Sequence, residues 1–173
     1  KVCTASQYCS KGTCFCLKNC SVTQGQGGTL ADTAAKLARD SAGNLYIAGA
    51  FSGTIKLGGT TLTSSAKRDM YVAKLDSNGN VLWAVSGGGT EDDGAANVAV
   101  DASGNVYVTG VLWATATFGS TTLTSGGSGD IMGAKLDKDG KWLWAKKAGG
   151  TKWVSPAGLA LDKTGNLYVG GVV

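Results

Sequence analysis

Five cysteines stand within the first twenty residues, at Cys3, Cys9, Cys14, Cys16 and Cys20, and the chain has no others. Thiols crowded like this either cross-link or ligate a soft metal. Disulfide formation is the expected chemistry, and it places the protein outside the reducing cytosol. Zinc is the rival reading. It is weakened because no pair of Cys-x-x-Cys knuckles is present and because the chain has no histidine. Cys14 and Cys16 are too close for an easy mutual bridge, so each is expected to pair elsewhere. The odd count leaves one thiol free, paired upstream of Lys1, or joined to another chain.

The lack of histidine also removes Ser-His-Asp and Cys-His sites, since the commonest general base is missing. Asp93 or Glu91 with Lys152 would be the remaining carboxylate–ammonium candidate. Solvated loop charges explain those residues equally well, so no enzyme is expected. Calcium could be sought at Asp40, Asp101 and Asp162, at Asp137 and Asp139, or in the cluster Glu91-Asp92-Asp93. An Asp-x-x-Gly-Asn turn needs no ion, however, and a hand-type loop would require a distal glutamate that is absent. No metal and no cofactor is expected.

The elements that must position any site are written in a repeat. The phrase DSAGNLYIAG at 40–49 returns as DASGNVYVTG at 101–110 and as DKTGNLYVGG at 162–171, each 61 residues after the last. The same offset joins Tyr46, Tyr107 and Tyr168, TTLTS at 60–64 and 121–125, AKLD at 73–76 and 134–137, and Trp83 and Trp144. Within a period the pattern is β throughout. Runs such as NVYVTGVL are β-branched and aromatic, and each opens on an Asp-x-x-Gly-Asn turn. DMYVAKLDSNGNVLWAV reads as a hairpin turning at Asp76–Gly79, and DIMGAKLDKDGKWLWAK as another turning at Asp137–Gly140. Residues 29–40 have helical propensity, with several alanines and spaced leucines. Their equivalents one period on, TEDDGAANVAVD, do not, so both segments are read as a loop running into a strand. Each period then supplies about four up-and-down strands, which is the pattern of propeller blades.

Five aromatics keep the period and are assigned to packing between sheets. Three break it. Trp113 replaces Ser52, Trp142 replaces Cys20, and Trp153 replaces Ala31. The architecture does not require them, so they are the candidate binding residues for a glycan or protein partner, Trp153 foremost because it falls in an inter-blade loop.

The bulk numbers fit this picture. The 173 residues include 28 Gly and one Pro, with only 16% charged and a net charge of +4. Scattered lysines without a basic block argue against nucleic acid. No run approaches the roughly 20 apolar residues that span a bilayer, so no transmembrane segment is expected. The start at Lys1 reads as processed or trimmed.

These motifs resemble the bacterial β-propeller repeat often called the seven-bladed propeller repeat. Its units carry an Asp-x-x-Gly-Asn-Val-Tyr-Val-Thr-Gly phrase, a Thr-Leu-Thr-Ser strand, an Ala-Lys-Leu-Asp hairpin ending in Leu-Trp-Ala, and a Gly-Gly-rich acidic loop. Asp101–Gly110, Asp130–Asp137 and Leu82–Ala84 carry the likeness, which covers roughly 21–173. The Cys-rich head resembles, more loosely, short modules that precede such repeats in secreted proteobacterial proteins. The resemblance implies secretion or exposure on the bacterial cell surface, often in a multidomain setting, and carries over no catalytic residues.

The expected protein is therefore all-β. It has a small disulfide-rich segment at 1–20 and, at 21–173, β-propeller-type repeats of four-stranded antiparallel blades, about two and a half in number. A closed ring needs roughly 4–8 blades, so the chain reads as a piece of a longer protein, or as one of several that complete a ring or stack in a filament. The expected role is non-catalytic, structural or adhesive, presenting a binding surface to a protein, a glycan or its own copies. The alternative is a self-assembling subunit of an extracellular filament or ring, joined by strand exchange and disulfides into a homo-oligomer or polymer. A fragment of a propeller enzyme comes last.

Overall fold

The computed structural model describes residues 32–172, so the cysteine segment lies outside the described residues. Among those residues the fold is all-β, with twelve strands, every pairing antiparallel and no helix. The first sheet runs β1 (Thr33–Arg39), β2 (Leu45–Leu57), β3 (Thr60–Leu75), β4 (Val81–Gly89) in spatial as well as chain order. Four further strands, β5 (Gly94–Val100), β6 (Val106–Leu112), β9 (Asp130–Leu136) and β10 (Trp142–Ala148), form a second sheet in the same up-and-down manner. Between β6 and β9 the hairpin of β7 (Thr115–Phe118) and β8 (Thr121–Thr124) leaves that sheet and pairs with β4 through Gly88 and Gly89. A final pair, β11 (Ser155–Leu161) and β12 (Leu167–Val172), opens a third sheet. The segment with helical propensity forms β1, as its partner one period on forms β5.

Local chemistry explains the hairpins. Asp40, Asp101 and Asp162 each accept the main-chain N–H and the Nδ2–H of the asparagine four residues on, and then the hydroxyl of the tyrosine six residues on. Gly43, Gly104 and Gly165 supply the left-handed residue these turns need, at φ 90°, 82° and 84°. Asp76 and Asp137 cap their hairpins the same way with two main-chain N–H donors each. These carboxylates are held by protein donors.

Each opening hairpin carries a β-bulge, at Ala34/Lys36, Ala95/Asn97 and Pro156/Gly158. Opposite the first two stand Gly49 and Gly110, where a Cβ would lie 1.8 Å and 2.1 Å from a facing carbonyl oxygen. Only glycine permits that approach.

The main core lies between the first two sheets. Tyr46, Ala48, Met70 and Val72 pack there against Val106, Val108, Met132, Ala134 and Leu136, and Phe118 closes one side. Tyr46 and Tyr107 are fully buried. Trp83 lies edge-on to Tyr46, donates its indole N–H to the Lys138 carbonyl oxygen and rests on Gly140, so a tryptophan of the first sheet covers the last turn of the second.

Candidate binding surface around Trp113 and Trp153

Trp113 stands at the corner where β6 leaves its sheet for β7. Its main-chain N–H donates to Asp93 Oδ1 at 2.9 Å, while Asp93 Oδ2 accepts the Gly89 N–H at 2.8 Å. One buried carboxylate thus ties the end of β4 to the Trp113 corner. Asp32 occupies the same position one period earlier and accepts a longer bond, 3.4 Å, from Ser52. Ala114, next in the chain, has φ 49°, the left-handed conformation that Gly53 takes one period before. An alanine there is strained, and strain of this kind collects at functional corners.

Two loops complete the surface. Ser125 donates its N–H to the Ala114 carbonyl oxygen, and Gly126 donates its own to Asp130 Oδ2. Gly127 runs so close to Thr151 that a Cβ on it would meet that residue's carbonyl oxygen at 2.3 Å. Val154 donates its N–H to the Gly129 carbonyl oxygen, which brings Trp153 beside the same glycine. A Cβ on Gly129 would come within 3.2 Å of both Trp113 Cε2 and Trp153 Cδ1, and its φ of 126° is itself one that L-residues avoid. Both indoles therefore rest on Gly129. Trp113 is half-buried, Trp153 is 50% exposed, and the rim of Gly126, Gly127, Ser128, Thr151 and Lys152 is exposed. An indole pair framed by exposed hydroxyl and amide groups suits a ligand that is apolar on one face and hydrogen-bonding at its edge.

Beneath lie three buried carboxylates with different fates. Burial pushes the Asp93 carboxyl up to about 6; its two N–H bonds oppose the shift, and the charges of Asp69 and Asp92 add to it. Burial also raises Asp69, against the pull of the Ser65 N–H and hydroxyl. At Asp130 burial is outweighed by Lys147, 2.8 Å away, and by the Gly126 N–H, so the carboxyl stays below its usual range. The difference follows from one residue, because Lys147 stands where the first sheet has Ser86.

The sequence expectations separate here. Trp113 and Trp153 are brought together, whereas Trp142 turns inward, edge-on to Phe118 at 5.6 Å and packed on Gly119. The Glu91-Asp92-Asp93 run is dispersed as well: Glu91 pairs with Lys67, Asp92 with Arg68, and Asp93 is buried. Among the described residues no three acidic, cysteine or histidine side chains gather as a metal site. Asp69 and Asp130 were missed in the sequence. Their signal was a small residue four positions earlier, Ser65 and Gly126, whose N–H each carboxylate accepts. No protein-family model matches the chain, and no curated protein matches it.

Proposed function

We propose that this chain is a non-catalytic, exported β-repeat module of the propeller type, capped by a disulfide-rich segment, which presents the Trp113–Trp153 surface to a glycan. The observation that carries the reading is the meeting of two repeat-breaking tryptophans on one glycine. Trp153 would otherwise be an unrewarded exposure of a large aromatic. The propeller reading is supported by two sets of four up-and-down strands, β1 to β4 within a six-stranded sheet and β5, β6, β9 and β10 as a sheet of their own, and by the adjoining of successive first strands, β1 against β5 and β5 against β11. The test is retention on immobilised polysaccharides. Trp153→Ala and Trp113→Ala should each abolish a retention shown by the parent chain, while Trp142→Ala should keep it. Equal retention of all four proteins would sink the proposal.

A further inference from the structure

The turn between β3 and β4 reads Asp76-Ser77-Asn78-Gly79-Asn80, and Asn78 differs in two ways from the other described asparagines. It alone is followed by glycine, where Leu or Val follows the rest. Its side-chain amide has no hydrogen-bond partner among the described residues. By contrast, Asn44, Asn80, Asn105 and Asn166 donate Nδ2–H to a turn aspartate, and Asn97 donates to Thr109. Asn78 is also exposed to water. A side chain on the following residue shields that residue's main-chain nitrogen from the asparagine before it. Glycine has no Cβ and leaves the approach open.

From this we infer that Asn78–Gly79 is a self-modification site, where the Gly79 nitrogen attacks the Asn78 side-chain amide and turns Asn78 into an acid. The Gly79 N–H gives up its proton and its nitrogen bonds to Asn78 Cγ. The amide Cγ–N bond breaks and ammonia leaves. Water then opens the five-membered succinimide at either carbonyl, giving aspartate, or isoaspartate with the main chain rerouted through the side chain. No oxidant, reductant or other protein enters. Each conversion lowers the net charge of +4 by one.

The second hairpin shows what the aspartate product does. Asp139 stands where Asn78 stands one period earlier. Its N–H donates to Asp137 Oδ1 at 3.0 Å, as that of Asn78 donates to Asp76 Oδ1 at 2.8 Å. Gly140 and Gly79 have nearly the same φ, 86° and 87°. The Asp139 side chain is 73% exposed although Trp83 packs on Gly140, so a neighbouring unit laid over the turn leaves this position in water. Aspartate at 78 therefore keeps the turn. Isoaspartate does not, because an extra main-chain carbon between residues 78 and 79 breaks the Gly79 N–H bond to the Asp76 carbonyl oxygen. That same bond, 3.0 Å long, ties up the attacking nitrogen, so the fold slows the reaction about fivefold against an unstructured chain.

The test incubates the whole chain at mildly alkaline pH and follows it by peptide mass spectrometry and ammonia release. The urea-unfolded chain and a free peptide of residues 73–82, AKLDSNGNVL, run alongside. Amide-to-acid conversion should be concentrated at Asn78 and give isoaspartate in excess over aspartate. It should run about fivefold faster in the peptide and in the unfolded chain. Asn78→Asp should release no ammonia and keep the parent's urea midpoint. Three results would overturn the inference: Asn78 still an amide after the free peptide has fully converted, conversion at Asn44, Asn80, Asn97, Asn105 or Asn166 as fast as at Asn78, or aspartate without any isoaspartate, which would mean direct hydrolysis with no ring. A urea midpoint of Asn78→Asp well below the parent's would overturn the claim that the aspartate product fits the turn.

Discussion

Stability between about pH 4 and pH 7 should be governed by buried Asp93. Its carboxyl stands at about 6 in the fold against an ordinary 3.8. The folded chain therefore holds a proton that the unfolded chain gives up. That contribution is fully present below about pH 4 and is lost as pH climbs through 6. A shift of about 2 pKa units corresponds to on the order of 3 kcal/mol at neutral pH, of which about 2 kcal/mol fall between pH 4.5 and pH 7. With a urea dependence of about 2 kcal/mol per molar, the unfolding midpoint should drop by roughly 1 M over that interval. No histidine titrates in this window, and among the described carboxyls Asp69 is the other one raised by burial. The turn aspartates Asp40, Asp76, Asp101, Asp137 and Asp162 all lie below their ordinary value, so their contribution is lost only as pH falls below about 4. Asp93→Asn removes the titration. It also sets an amide N–H₂ against one of two N–H donors, so its absolute stability at pH 7 is not the informative quantity. The slope is. Urea midpoints measured at constant ionic strength should fall steeply for the parent chain and much less for Asp93→Asn, with Asp69 supplying the remainder. A flat parent profile, or equal slopes in both proteins, would refute the assignment of the raised carboxyl to Asp93.

Three other substitutions probe the strained corner and the two kinds of tryptophan. Ala114→Gly relieves a left-handed alanine and should raise stability by about 0.5–1 kcal/mol, or a few degrees in Tm; an unchanged or lower Tm would show that the corner is not strained. Trp142→Ala empties a half-buried contact with Phe118 and should cost about 2 kcal/mol in urea unfolding, whereas Trp153→Ala, which removes a half-exposed ring, should cost well under 1 kcal/mol.

How legible the protein was in its sequence depended on the range of the interaction. The Asp-x-x-Gly-Asn turns were readable because every hydrogen bond in them closes within six residues, from Asp40 to Tyr46. The hairpins at Asp76–Gly79 and Asp137–Gly140 were readable for the same reason. Strand β1 was recoverable despite its alanines only because its partner one period on, Gly94–Val100, lacks that ambiguity. The pairing of β4 with β7 was not readable. It rests on Gly88 and Gly89 meeting Thr117 and Ala116, and nothing local distinguishes those glycines from the others. The site shows the same limit. Breaking the repeat singled out Trp113, Trp142 and Trp153 together, but whether an aromatic turns in or out is decided across the chain. Gly119 and Phe118 draw Trp142 inward, while Gly129 collects the other two.

The carboxylates show why a repeat can look uniform while its units differ in chemistry. Asp69 and Asp130 occupy one position of the repeat and make the same main-chain bond, to Ser65 and Gly126. In each, Oδ1 is buried without a hydrogen-bond partner, over Gly88 in one case and Gly149 in the other. The shared backbone thus imposes the same cost twice. The second unit offsets it with Lys147, which neutralises Asp130 from 2.8 Å. The first has Ser86 at that position and instead places Asp93 nearby, which compounds the charge. Protonation is the remaining way to relieve Asp69 and Asp93, because an isolated buried carboxylate either finds a cation or keeps its proton. The junction of the first two sheets, beneath the Trp113 corner, is therefore the part of the molecule whose electrostatics change between mildly acidic and neutral water. The Asp130 side of the same surface stays charged throughout.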